Sequence, residues 1–87
     1  MTKLVVHTKS LTYCSQCVMT INVAKGAGVR YSEEPGIDTP ERADELRSFK
    51  ERYGFAAAPI VEAVSPDGEV IDRWAGFRPD KIKEHAG

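Results

Sequence analysis

The segment Leu4-Val5-Val6-His7-Thr8, followed after a polar loop by Cys14-Ser15-Gln16-Cys17, is the stretch that decides the fold. Its first part is a short β-prone run and is predicted to be a buried strand. From about Ser15 to Lys25, Cys17, Ile21 and Ala24 recur at i, i+4 and i+7, one face of a helix. Gly26 and Gly28 can end that helix in the left-handed conformation. The cysteine pair therefore sits where a strand hands over to a helix. Residues i and i+3 of a helical turn stand about 5–6 Å apart, within the Cα window of a disulfide. Free N–H groups and the helix dipole stabilise a thiolate at a helix start. Cys14 is the better placed of the two and is assigned as nucleophile. Cys17 lies on the inward stripe and is assigned as resolving cysteine. Cys14 then attacks a substrate disulfide, and Cys17 releases the reduced substrate by attacking the mixed disulfide.

Outward from this core, Val29-Arg30-Tyr31 can begin a second strand, weak because Ser32-Glu33-Glu34-Pro35-Gly36 follows, whose charges and proline suit a sheet edge. Thr39, Pro40 and Glu41 are the cap, first-position and first-turn residues of a helix whose stripe is Leu46, Phe49 and Tyr53. Gly54 ends it, with Phe55 folding back. Ile60–Val64 and Glu69–Trp74 read as strands joined by the tight turn Ser65-Pro66-Asp67-Gly68, and Pro79 and Asp80 open a last helix to about His85. The order β-α-β-α-β-β-α predicts an α/β fold: a parallel β-α-β unit, then an antiparallel hairpin, giving a four-stranded mixed sheet flanked by three helices. Pro59 stands at the first residue of a strand, where a sheet tolerates proline. If that strand end lies near Cys14, the amide and carbonyl of Ala58 can bind an extended substrate segment as a short β-ladder. Trp74-Ala75-Gly76-Phe77-Arg78-Pro79-Asp80 has two readings: aromatics in the core, or an exposed apolar docking surface.

Composition narrows the function classes. The 87 residues make one domain, residues 1–87. Twelve Lys+Arg against thirteen Asp+Glu give a net charge of −1, which excludes a strongly basic nucleic-acid footprint. Nothing approaches the roughly 20 apolar residues of a membrane span, and no targeting segment is visible, so the expected location is cytoplasmic. There, close-spaced cysteines are more often catalytic, redox-sensing or metal-binding than structural. A bridge across three positions closes too short a ring to stabilise much. Zinc held by the pair with His7 and His85 is the rival reading, without a second C-x-x-C or H-x₃₋₅-H to support it. Two inert buried cysteines is the other.

C-x-x-C near a β-α-β pattern is the signature of a thioredoxin-like redox motif. More specifically, Cys14-Ser15-Gln16-Cys17, Ala58-Pro59-Ile60-Val61 and Trp74-Ala75-Gly76-Phe77-Arg78-Pro79-Asp80 resemble the NrdH-redoxins, glutaredoxin-like proteins of the thioredoxin fold with the patterns C-x-Q-C, A/L-P-V-V and W-S-G-F-R-P-D/E. The resemblance covers nearly the whole chain. It implies a monomeric dithiol hydrogen donor for a class Ib ribonucleotide reductase, hence for deoxyribonucleotide synthesis. Reduction would come from thioredoxin reductase with NADPH, not from glutathione, and the donor itself would need no cofactor or metal. It also implies a cis Pro59 and a hydrogen-bonded network from Trp74 to Asp80 near the cysteines, Arg78 and Asp80 included. Tyr13, Gln16, Ala58, Pro59, Trp74, Gly76, Phe77, Arg78 and Asp80 thereby become candidate partner-binding residues beside Cys14 and Cys17. The chain departs from the pattern at Ala75, where the family has serine. Its loop from Thr8-Lys9 to Cys14 is longer and lacks a proline, and Tyr13 is similar to ordinary glutaredoxins. A glutathione-dependent glutaredoxin is the alternative, although the Gly-Gly-x-x-Asp segment common in glutaredoxins is here Gly76-Phe77-Arg78-Pro79-Asp80.

Overall fold

Alternation along the strands sorts the molecule into three layers. The computed structural model describes residues 2–86, with strands β1 (Lys3–Thr8), β2 (Arg30–Pro35), β3 (Ile60–Val64) and β4 (Val70–Ala75) and helices α1 (Ser15–Gly26), α2 (Ala43–Tyr53) and α3 (Pro79–Glu84). The sheet order is β2-β1-β3-β4; β1 and β2 are parallel, and the other neighbours are antiparallel. This is the predicted four-stranded mixed sheet with three helices. Leu4, Val6, Val61, Ala63 and Trp74 share one face and pack with Ala24 of α1 and Ile82 of α3. The other face is covered by α2, where Ile60 packs with Ile37 and Phe49. Among the described residues, no helix is long and apolar enough to cross a membrane.

The local signals mostly hold. Gly54 takes a φ of 76°, its N–H donates to Lys50 O, and the Phe55 N–H reaches back to Phe49 O at 3.3 Å. In the hairpin turn, the Gly68 N–H donates to Ser65 O at 2.9 Å. Three readings change. First, β2, read as a weak strand beginning at Val29, starts at Arg30 and keeps full register with β1 through Glu33 and Glu34, from Lys3↔Arg30 to Thr8↔Pro35. An edge strand pairs through its backbone on one side only, so charged side chains do not end it. Second, Thr39 and Pro40 hold the N-cap and first positions as read, but of a short 3-10 turn, and the Thr39 hydroxyl makes no cap bond and donates to Gly36 O at 2.6 Å. Residues Pro40–Arg42 form a single 3-10 turn, and the α-helix proper starts at Ala43. Third, Thr20 joins Cys17 and Ala24 as a buried α1 residue, its hydroxyl donating to Gln16 O at 2.7 Å.

The sheet face under α2 carries a polar layer that periodicity did not reveal. His7 is 5% exposed. Its Nδ1 lies 3.1 Å from Arg42 Nη2 and its Nε2 lies 3.3 Å from Glu62 Oε1. A guanidinium only donates, so Nδ1 must accept, and the imidazole proton sits on Nε2 and points at Glu62. The Arg73 Nε–H donates to the other Glu62 oxygen at 3.0 Å, and its guanidinium lies 4.5 Å above the Tyr53 ring. Arg42 also forks onto Glu45 and donates to Pro35 O at 2.9 Å, tying α2 to the end of β2.

Candidate active site

The site forms where β1 ends, α1 begins and β3 enters the sheet. Cys14 is the N-cap residue of α1, with extended backbone angles of −126° and 96°, and Cys17 lies one turn in. The two are joined as a disulfide, with their Cα atoms 5.2 Å apart. Cys14 is half-buried, whereas Cys17 is 4% exposed. The Cys17 N–H points at Cys14 Sγ from 3.1 Å. No acidic residue stands in the first turn of α1. Negative charge on Cys14 Sγ is therefore favoured by an aimed donor and the positive helix end.

The Ala58–Pro59 bond is cis. Ala58 and Cys14 both line an open groove of about 520 Å³, together with Lys9, Gln16, Phe55 and Gly76. Among the described residues, neither the amide nor the carbonyl of Ala58 has a hydrogen-bond partner. A free donor and acceptor thus stand in the same groove as the accessible sulfur. A second groove, about 280 Å³, reaches Cys17 between Ile21 and Glu33.

The C-terminal motif divides. Gly76, at a φ of 82°, donates its N–H to Pro59 O at 2.9 Å. The Phe77 N–H donates to Gln16 Oε1 at 3.2 Å, so a residue between the two cysteines holds this junction. Arg78 and Asp80 instead pair with each other through two contacts of 3.2 and 2.9 Å at the surface. The Arg78 hydrogen bond holds the Asp80 carboxyl below its ordinary range. Among the described residues no hydrogen bond joins this pair to Trp74 or Gln16, so the continuous network from Trp74 to Asp80 is replaced by two separate parts. Trp74 is corrected as well. Its ring is 3% exposed and stacks on His85 at 5.8 Å between centroids, so it belongs to the core and offers no surface to a partner. His7 and His85 lie in different networks, His85 bonding Asp72 at 3.2 Å.

Sequence reasoning missed what holds the loop before Cys14. The Asp38 carboxylate accepts from the N–H groups of Ser10 at 2.9 Å and Leu11 at 3.1 Å. The Ser10 bond, foremost, holds the Asp38 carboxyl below its ordinary value of 3.8. The latch leaves Leu11 and Tyr13 outward, 64% and 79% exposed beside the cysteines. An Asp-Thr-Pro segment reads as a helix entry, and nothing in its pattern names a loop 28 positions earlier as its partner.

A bridged C-x-x-C at a helix start, beside a cis proline entering a mixed β2-β1-β3-β4 sheet, decides the architecture. The chain is a thioredoxin-fold, glutaredoxin-like protein. The glutaredoxin-like NrdH-redoxin of Escherichia coli superposes on it with a TM-score of 0.65 and 29% identity, over 94% of this chain and 92% of that one. A glutaredoxin from Archaeoglobus fulgidus gives a TM-score of 0.65 at 24% identity, over 98% of this chain and 86% of its own. In sequence, the SPbeta prophage-derived thioredoxin-like protein YosR of Bacillus subtilis (strain 168) is 25% identical over 71 residues, 82% of this chain and 80% of that protein. No family model matches the chain. This thioredoxin-fold chain resembles the NrdH-redoxins over nearly its whole length.

Proposed function

We propose that this chain is a cytoplasmic, single-domain dithiol–disulfide oxidoreductase of the NrdH-redoxin type. In this role it donates hydrogen to a class Ib ribonucleotide reductase and is itself reduced by thioredoxin reductase with NADPH. One observation carries the chemistry: the half-exposed Cys14 Sγ receives the Cys17 N–H at 3.1 Å and shares a groove with the unpaired amide and carbonyl of Ala58. An extended substrate segment pairs with Ala58 and brings its disulfide to Cys14. The Cys14 thiolate attacks one substrate sulfur, and the other leaves as a thiolate and takes a proton. Cys17 loses its proton and attacks Cys14 Sγ, expelling the second substrate thiolate. Two electrons have passed to the substrate, and the chain is left with the Cys14–Cys17 bridge seen here. Reduction by NADPH through the reductase returns them.

Two features favour a protein reductase over glutathione. The Gly76 and Phe77 amides are occupied by Pro59 O and Gln16 Oε1, and the Asp80 carboxylate is occupied by Arg78. In the segment that serves the glutathione backbone in glutaredoxins, these two amides and this carboxylate are thus already engaged within the chain. The test compares NADPH with thioredoxin reductase against NADPH with glutathione and glutathione reductase. Turnover of a protein disulfide with the first system is expected. Turnover with the second alone would make the chain a glutaredoxin.

A further inference from the structure

The groove at Cys14 continues past Ala56 into a second depression of about 410 Å³ under the flank of α2. Its floor is apolar: Ile37, Pro40, Ala43 and Leu46. Its wall carries Arg47 and Lys50, while Lys9 stands on the rim of the first groove. The charges around it are unequal in availability. Arg47 pairs with the exposed Asp44 at 3.0 Å, and the Asp38 carboxylate is taken up by the Ser10 and Leu11 amides. The side chains of Lys9 and Lys50 make no ion pair or hydrogen bond among the described residues, although Lys9 lies close enough to Asp38 to help hold its carboxyl ionised. Lys9 and Lys50, neither bonded to an acid, therefore border a cleft that is polar near the sulfur and apolar farther on, with the Asp38 carboxylate in its lining.

We propose that this second depression is a specificity subsite for an extended acidic segment of the protein substrate. The segment's cysteine lies at Cys14, its backbone at Ala58, and an aliphatic or aromatic side chain a few residues away occupies the floor beside Leu46. An acidic residue next to that side chain faces Lys50, and a second faces Lys9. The inference rests on the disulfide-reducing role proposed above. It adds what that role leaves open, namely which disulfide-bearing segments are chosen. An open apolar depression rewards an aliphatic side chain by removing surface from water. The lysines contribute attraction that salt screens.

The test uses peptides with a single cysteine carried as a mixed disulfide with thionitrobenzoate, whose release is followed by absorbance. Leucine is scanned at two to four residues from the cysteine with glutamate beside it, and each peptide is matched by an alanine/lysine counterpart. The best leucine/glutamate peptide is expected to exceed its counterpart by about tenfold in kcat/KM at low salt. The preference should shrink at 1 M salt, where the screening length is about 3 Å. Lys50→Glu should invert the acidic preference, with a lysine-bearing peptide now favoured. Leu46→Ala should reduce the leucine preference about threefold, provided thermal unfolding shows it folded. Hydroxyethyl disulfide separates the two levels of inference. If the wild-type chain reduces it yet treats all peptides alike, the subsite is overturned and the redox role stands. If it does not reduce it, the redox role itself falls. A charge preference without any leucine preference, matched by glutathione disulfide, would also overturn the subsite.

Discussion

Replacing Glu62 by alanine should destabilise the chain well beyond the usual effect of a partly exposed carboxylate. Glu62 takes the Nε2–H of His7 and the Nε–H of Arg73 on its two oxygens, and its side chain is 19% exposed. Arg73, 33% exposed, regains water when its partner goes, so its loss is small. His7 cannot do so, being 5% exposed. Nor can it move its proton to Nδ1, which already faces an Arg42 donor at 3.1 Å. An orphaned buried donor costs about 1–3 kcal/mol. With the lost Arg73 pairing, we expect about 2–3 kcal/mol, from a total stability of about 4–13 kcal/mol for 87 residues. At about 4–8 °C per kcal/mol, the midpoint should fall by roughly 8–24 °C. Urea unfolding followed by circular dichroism gives the free energy and thermal scans give the midpoint. Adding His7→Phe removes the orphan, so the double variant should recover about 1–2 kcal/mol relative to the sum of the singles. A loss below about 0.5 kcal/mol for Glu62→Ala, or strict additivity, would refute the tautomer and the layer built on it.

Cys14→Ser should abolish disulfide reduction, while Cys17→Ser should accumulate substrate linked through Cys14, visible on non-reducing gels; trapping by Cys14→Ser alone would exchange the two roles. Reduction of the Cys14–Cys17 bridge should cost no more than about 2 kcal/mol, the loop-entropy value for a ring this short, so the midpoint should drop by less than about 15 °C. Unfolding on reduction at room temperature would make the bridge structural. Asp38→Ala should raise amide hydrogen exchange at Ser10 and Leu11 several-fold and leave the α1 interior unchanged; unaltered exchange would remove the latch. Because the Asp38 carboxyl is held below its ordinary value, the latch is complete above about pH 4 and is lost as pH falls through the lowered value, and the same two amides should report this.

Much of the architecture was legible because its signals are local. Gly54, the Ser65–Gly68 turn and the strand-to-helix step at Cys14 each need only a few neighbouring residues. The entry at Thr39 and Pro40 is legible, but its pattern does not say that the first turn is 3-10 or that the hydroxyl turns back to Gly36 O. The polar layer was illegible for a different reason. His7, Glu62 and Arg73 come from three strands and meet only once the register Val5↔Glu62 and Glu62↔Arg73 is set. Within the site, Cys14, Cys17 and the cis Pro59 follow from motif and resemblance. The Gln16–Phe77 bond and the Asp38 latch span 61 and 28 positions and required the fold. Trp74 shows the limit of a motif: it names a residue without saying which way the ring faces.

The two faces of the sheet are fastened by different kinds of adhesive. On the side of α2, hydrogen bonds from Arg42 to His7 Nδ1 and to Pro35 O, and the Arg73 guanidinium over the Tyr53 ring, share the work with Ile37, Phe49 and Ile60. On the side of α1 and α3 an oily join around Leu4, Val61 and Ile82, which weakens on cooling, is pinned by Asp72 of β4, which pairs with Lys81 of α3 at 2.8 Å. Although burial pushes the Asp72 carboxyl up, the hydrogen bonds from Lys81 and His85 hold it below its ordinary value, so this α3 fastening is lost as pH falls through that lowered value.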